Sequence, residues 1–205
     1  MTGQAGKVAI IDSGVANLAS VTAAVQRLGF AAEITSKAEC IQGAGHVILP
    51  GVGAATSAMQ QLRQKNLVDV LRGLTQPVLG ICLGMQLLFE RSHEGADGPV
   101  ECLGLLPGDV ALLRASPDMP VPHMGWNQLC LRDPDHALLR GVGDGSFVYF
   151  VHSYAVPADG TALTTTEYGE TFASSVGSGN FFGCQFHPER SGAVGARILE
   201  NFLGL

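Results

Sequence analysis

The 205 residues suit one α/β domain or at most two small ones. At 46% hydrophobic and 15% charged, they hold material for a sizeable core and too little charge for a disordered chain. A net charge of −6 without any Lys/Arg run argues against nucleic acid or an anionic membrane surface as partner. No apolar run could cross a bilayer, Met1 to Lys7 is unlike a signal peptide, and five cysteines without CxxC or metal-ligand spacing fit reduced thiols in the cytoplasm.

In chain order, Lys7 to Ile11 reads as a buried strand. A helix follows with Leu18, Val21, Val25 and Leu28 on one face and Gly29 as its stop. Phe30 to Thr35 and His46 to Leu49 are further strands. Ala54 to Leu74 reads as a helix with a break near Asn66, Pro77 to Ile81 as a strand, and Leu83 to Arg91 as a helix. Strands alternating with helices predict a mostly parallel sheet covered on both faces. Ser92 to Gly108 is the longest irregular stretch, the kind of loop that often carries function. Beyond it, Val110–Leu113, Gln128–Leu131, Phe147–Tyr154, Ala162–Glu167, Thr171–Val176 and Phe181–Phe186 are closely spaced strands, with a hairpin turn at 177–180. They predict an antiparallel part joined to the same sheet, and a helix from about Gly195 to Leu203 closes a single domain spanning 1–205.

Gly80-Ile81-Cys82-Leu83-Gly84 has the form of a strand–turn–helix nucleophile elbow with Cys in place of Ser. The flanking glycines permit the tight turn, the thiol stands at a helix start that favours thiolate, and the Leu83 amide points where an oxyanion would form. The other four cysteines read as structural. A thiolate needs a proton carrier and a group to orient it. Among six histidines, His187 stands out in Gln185-Phe186-His187-Pro188-Glu189, where Pro188 fixes the bend and Glu189 reaches back to the second ring nitrogen. Taken by itself, that segment would be an ordinary loop histidine.

Leu79 to Gln86 and Gln185 to Glu189, in this order and about a hundred residues apart, resemble the class I (triad) glutamine amidotransferases. Leu49-Pro50-Gly51-Val52-Gly53, alone a plain tight turn, is similar to that family's oxyanion loop. Asn17-Leu18, Ser20-Val21, Pro122 to Asn127, Tyr149 to Tyr154 and His187 to Gly192 narrow the resemblance to the glutaminase subunits of imidazole glycerol phosphate synthases.

The resemblance implies glutamine as substrate and no metal or organic cofactor. It implies a heterodimer with a (β/α)8-barrel cyclase that takes the ammonia through a channel in histidine biosynthesis. By the same resemblance, Cys82, His187 and Glu189 are catalytic, and Gly51, Val52 and Leu83 form the oxyanion hole. Gln86, Glu94, Ser153 and Tyr154 bind substrate, and His123, Met124, Gly125, Trp126, Asn127 and Arg190 meet the partner. His152 is expected to be a satisfied core histidine. Ser13, Ala16 and Ala19 stand where the family often has Tyr, Gly and Arg, and Arg190 where Lys is usual, which touches the early loop and the partner face. Competing readings are the subunit of another synthase, a free-standing γ-glutamyl hydrolase, and a non-catalytic binding module on this fold.

Overall fold

The computed structural model describes residues 6–14, 17–95, 98–158 and 160–205. Its first half alternates β1 (Val8–Ile11), α1 (Leu18–Arg27), β2 (Ala32–Thr35), α2 (Ala38–Gln42), β3 (His46–Gly51), α3 (Ala55–Gln64), α4 (Val68–Arg72), β4 (Val78–Cys82) and α5 (Leu83–Gln86). The short strands β5 (Arg91–Ser92), β6 (Val100–Glu101) and β7 (Asp109–Leu112) follow. Then come β8 (His123–Gln128), β9 (Cys130–Leu131), β10 (Phe147–His152), β11 (Tyr154–Ala155), β12 (Ala162–Tyr168), β13 (Glu170–Ser178), β14 (Phe181–Cys184) and α6 (Gly192–Leu203).

Among the described residues, eight strands form the main sheet in the order β2-β1-β3-β4-β14-β13-β12-β9. From β2 to β14 neighbours run parallel, and from β14 to β9 they run antiparallel. The expected class, a mixed and mostly parallel sheet with an antiparallel C-terminal part, is what forms. Strand alternation divides the core between the two faces. Ala9, Ile11, Val47 and Leu49 pack on one side. Val8, Ile10, Ile48, Leu79 and Ile81 pack on the other. These runs are apolar at every position because both faces are covered.

Helix α1 is capped by the Asn17 side chain, which accepts from the Ser20 amide, and buries Val21, Ala24 and Val25. It ends at Gly29, whose φ of +87° suits glycine. The long helix expected from Ala54 is broken where Asn66 takes φ +56°, giving α3 and α4. The helix expected from Leu83 to Arg91 is corrected to a single turn. Past Gln86 the amides of Leu88 and Phe89 bond three residues back. The carbonyls of Leu87, Leu88 and Phe89 are then taken by the amides of Leu103 to Leu106, so no α-helical ladder can continue. Strand β8 and helix α2 were not expected from the sequence.

Candidate active site

Parallel strands end level, so their carboxyl ends gather side chains from distant parts of the chain. Gly51 lies opposite Cys82 on one side of β4. On the other, Cys184 of β14 lies opposite Ile81. Gln185 and His187 therefore emerge beside Cys82. Cys82 holds φ +53°, a left-handed conformation rare outside glycine. The elbow is tight. A Cβ on Gly80 would come within 2.6 Å of the Gly84 carbonyl oxygen, and one on Gly84 would overlap the Leu49 carbonyl. A Cβ on Gly51 would stand 3.0 Å from the Gly84 nitrogen, so the Gly51–Val52 segment lies directly against the elbow. Because α5 is one turn, its dipole gives the thiol less than a long helix would. Leu83 nevertheless occupies the first helical position, whose N–H has no partner within the helix.

His187 is held from both ends. Its N–H donates to the Tyr149 carbonyl (2.9 Å), and its carbonyl accepts from the Ser191 hydroxyl (2.7 Å). Pro188 opens a 3-10 turn, Pro188–Arg190, that swings Glu189 back beneath the ring. His187 Nδ1 and Glu189 Oε1 are 2.9 Å apart. A carboxylate only accepts, so Nδ1 carries the proton and Nε2 is left for chemistry. Nε2 has no hydrogen bond in the structure, although Cys82 and His187 line the same cavity. Burial pulls the imidazole down, but the adjacent Cys82 and Glu189 outweigh it and raise its pKa to about 10. The arrangement favours the imidazolium form of His187.

The cavity has a volume of about 280 Å³, at the small end for ligand pockets. Val52, Leu83, Gln86, Glu94, Ser153 and Tyr154 all border it with Cys82 and His187. Gln86 is buried, and its amide nitrogen donates to the Tyr154 carbonyl (2.8 Å) and to Gln185 Oε1 (3.0 Å). Its own oxygen remains able to accept. Glu94, half-buried, accepts from the Ala55 amide at 2.7 Å and so caps α3, which has no cap from its own Ala54. Burial raises its carboxyl above the usual range, against the lowering by the Ala55 N–H. The Ser153 carbonyl accepts from the Leu113 amide (2.9 Å). The Tyr154 carbonyl accepts from both Gln86 and His152, so its lone pairs are used within the protein.

Residues 9–204 match the family Glutamine amidotransferase class-I. Imidazole glycerol phosphate synthase subunit HisH 2 of Legionella pneumophila subsp. pneumophila is 53% identical over 198 residues, 97% of this chain and 98% of that one. Subunit HisH of Photorhabdus laumondii is 49% identical over 200 residues, 96% and 98% of the two chains. The chain belongs to the class-I glutamine amidotransferases, in the HisH branch. The fold agrees. A crystal structure of a glutamine amidotransferase superposes with TM-score 0.72 at 20% identity, over 97% of this chain and 99% of that one. The glutaminase domain of Trypanosoma brucei CTPS with bound acivicin superposes with TM-score 0.66 at 16% identity, over 97% and 91%.

In this amidotransferase, Met124 and Trp126 are 63% and 55% exposed, and Arg190 is also exposed. Gly125 and Asn127 are half-buried. His123 corrects the sequence reading. It is 3% exposed and lies beneath β8, stacked on Phe150 and Tyr168, so it cannot be part of the outer face. The reason is parity: 123, 125 and 127 turn inward, while 124, 126 and 128 turn outward.

Ser13, one of the departures, is buried, and its hydroxyl donates to the Pro50 carbonyl at 3.4 Å. Ala19 is exposed, and Ala16 lies outside the described residues. Sequence reading missed Gln185 as a site residue. It is fully buried, with its amide nitrogen 3.8 Å from the Cys82 sulfur. The signal was available, since residues two apart on an extended segment share a face, and Gln185 stands two before His187. Among the described residues, no group of three or more His, Cys, Asp or Glu is placed to hold a metal ion, and no helix is long and apolar enough to cross a membrane.

Proposed function

We propose that this protein is the glutaminase subunit of imidazole glycerol phosphate synthase in histidine biosynthesis. In this reading residues 1–205 act as one cytoplasmic domain, paired with a (β/α)8-barrel cyclase that receives ammonia through a channel. The observation that carries the chemistry is the 2.9 Å contact between His187 and Glu189 behind a cavity that Cys82 and His187 share. The 53% identity to a HisH subunit over nearly the whole chain supports the pathway.

The Cys82 thiolate attacks the side-chain amide carbon of glutamine. The developing oxyanion takes hydrogen bonds from the amides of Leu83 and of the Gly51–Val52 segment. His187, as imidazolium, protonates the leaving nitrogen, and ammonia departs from a γ-glutamyl thioester on Cys82. Neutral His187 then removes a proton from water, the hydroxide adds to the thioester, and glutamate leaves as the thiolate returns. The Glu94 carboxylate pairs with the substrate ammonium, and Gln86 accepts from the substrate through its free oxygen. Only unprotonated ammonia is a nucleophile, so release toward a partner surface bearing Met124, Trp126 and Arg190 preserves it.

The experiment is glutamine hydrolysis measured with and without the cyclase and its nucleotide ligand. Slow turnover alone and fast turnover in the liganded complex are expected. Equal rates with and without the cyclase would instead support a free-standing γ-glutamyl hydrolase.

A further inference from the structure

Two buried histidines that take no part in this mechanism connect to the nucleophile through hydrogen bonds whose directions are all forced. His152 Nδ1 lies 2.9 Å from the Tyr154 carbonyl, which only accepts, so Nδ1 carries the hydrogen. The neutral ring then has a lone pair on Nε2, and His123 Nδ1, 3.0 Å away, donates to it. His123 Nε2 is left to accept from Asn127 Nδ2 at 3.4 Å. That amide cannot flip, because its oxygen accepts from the Gln128 N–H (2.8 Å) and its nitrogen donates to the Glu167 carbonyl (3.0 Å).

From the Tyr154 carbonyl the series runs on toward the sulfur. The same oxygen accepts from Gln86 Nε2 at 2.8 Å. The other Gln86 hydrogen goes to Gln185 Oε1 at 3.0 Å, and this turns Gln185 Nε2 toward Cys82 Sγ at 3.8 Å. The sulfur also lies 3.7 Å from the Val151 carbonyl, which can bond a thiol but repels a thiolate, and the Gln185 amide is the donor set against it. Burial pushes both histidines down, His123 to about 4 and His152 to about 3, in keeping with neutral rings of fixed tautomer.

We propose that His152, seated on His123, is a positioning residue for the glutaminase reaction: it fixes the Tyr154 carbonyl that aligns Gln86 and Gln185, and so keeps an N–H donor on the Cys82 sulfur. This rests on the glutamine-hydrolysing reading of the site. His152 borders the cavity but makes its hydrogen bonds to the Tyr154 carbonyl and to His123, not to the Cys82 sulfur. Its influence passes through the carbonyl it shares with Gln86.

The test uses the complex with the cyclase and compares wild type with His152→Leu, His152→Asn and Gln185→Leu. Two quantities are read: kcat and KM for glutamine, and the pH midpoint for alkylation of Cys82 by iodoacetamide, followed on the Cys82 peptide because Cys130 is exposed. His152→Leu is expected to lower kcat by about 10²-fold, the scale of a small misplacement of reacting groups, and to raise the alkylation midpoint. His152→Asn keeps an amide hydrogen where Nδ1 stood and should recover most of both. Gln185→Leu should raise the midpoint as His152→Leu does.

Equal losses in the Leu and Asn variants, or a wild-type midpoint in Gln185→Leu, would overturn the proposal. Should His152→Leu fail to fold, the other two variants decide. A wild-type complex that leaves glutamine intact would instead count against the glutaminase reading, while the alkylation midpoints would still report on the hydrogen-bonded series.

Discussion

Gln185 and Cys82 stand side by side because β14 and β4 run in the same direction with Cys184 opposite Ile81. The 3.8 Å contact between the glutamine amide and the sulfur follows from strand register rather than from a loop. The proposed nucleophile and base and the strand bearing the proposed oxyanion amides all leave one sheet at one end. Such sites hold their geometry better than sites built on loops.

Cys82→Ala should abolish ammonia release, with a loss in kcat of about 10⁴-fold or more, as when a triad nucleophile is removed. The liganded complex is the proper sample, since turnover is expected to be highest there. Ammonia release at the wild-type rate would remove Cys82 from the mechanism.

Glu189→Gln should cost about 10²- to 10⁴-fold in kcat, because the ring loses its orienter and the charge that favours imidazolium. His187 is raised in the folded chain by Cys82 and Glu189 against burial. The pair's stabilising contribution is therefore complete below the ordinary imidazole pKa and is lost as pH rises through the raised value. The Gln variant should lose stability over that range less steeply than wild type, by thermal denaturation at a series of pH values.

Glu94 caps α3 and is proposed to hold the substrate ammonium, and the two jobs can be separated. Glu94→Gln keeps an oxygen for the Ala55 amide but loses the charge, so KM for glutamine should rise about tenfold or more while Tm stays close to wild type. Glu94→Ala loses the cap as well and should give up about 1 kcal/mol of stability. Since burial raises this carboxyl, glutamine affinity should begin to weaken at a higher pH than for a solvent-exposed glutamate, as pH is lowered.

Two glycines distinguish a backbone neighbour from side-chain neighbours. A Cβ on Gly84 would overlap the Leu49 backbone carbonyl, so Gly84→Ala should cost about 3 kcal/mol or prevent folding. A Cβ on Gly183 would meet the Met85 side chain at 2.6 Å. The atoms met are Cγ and Cβ at the base of Met85, with Val176 Cγ2 at 3.0 Å, so relief needs a shift of packed side chains, and Gly183→Ala should cost about 2–3 kcal/mol, still less than a clash with backbone. Urea denaturation of both variants checks the order.

The proposed triad and oxyanion segment could be proposed from the sequence because each sits in a short stretch whose glycines and proline have few other uses: Gly80 and Gly84 around Cys82, and Pro188 between His187 and Glu189. The parallel half was readable from its apolar strands. Strand β8 escaped because its inward positions carry His123, Gly125 and Asn127 where a buried strand face would show apolar residues. With the strand unseen, its parity was unseen too, and His123 was assigned to the outer face. The short α5 could not be read locally, since what ends it is the capture of three carbonyls by amides from Leu103 to Leu106. The role of Gln185 likewise depends on β14 lying next to β4, a pairing between segments remote in sequence.

The alternation along β8 has an evolutionary corollary. Met124 and Trp126 project outward while His123 and Asn127 support the interior, so a single hexapeptide carries two independently variable alphabets. His123 and Asn127 are pinned by hydrogen-bond polarity, whereas Met124 is exposed and Trp126 meets only the edge of Tyr149 among the ring contacts of the chain. Under the proposed docking of the cyclase on this face, drift at 124 and 126 retunes partner preference and leaves the interior beneath β8 intact.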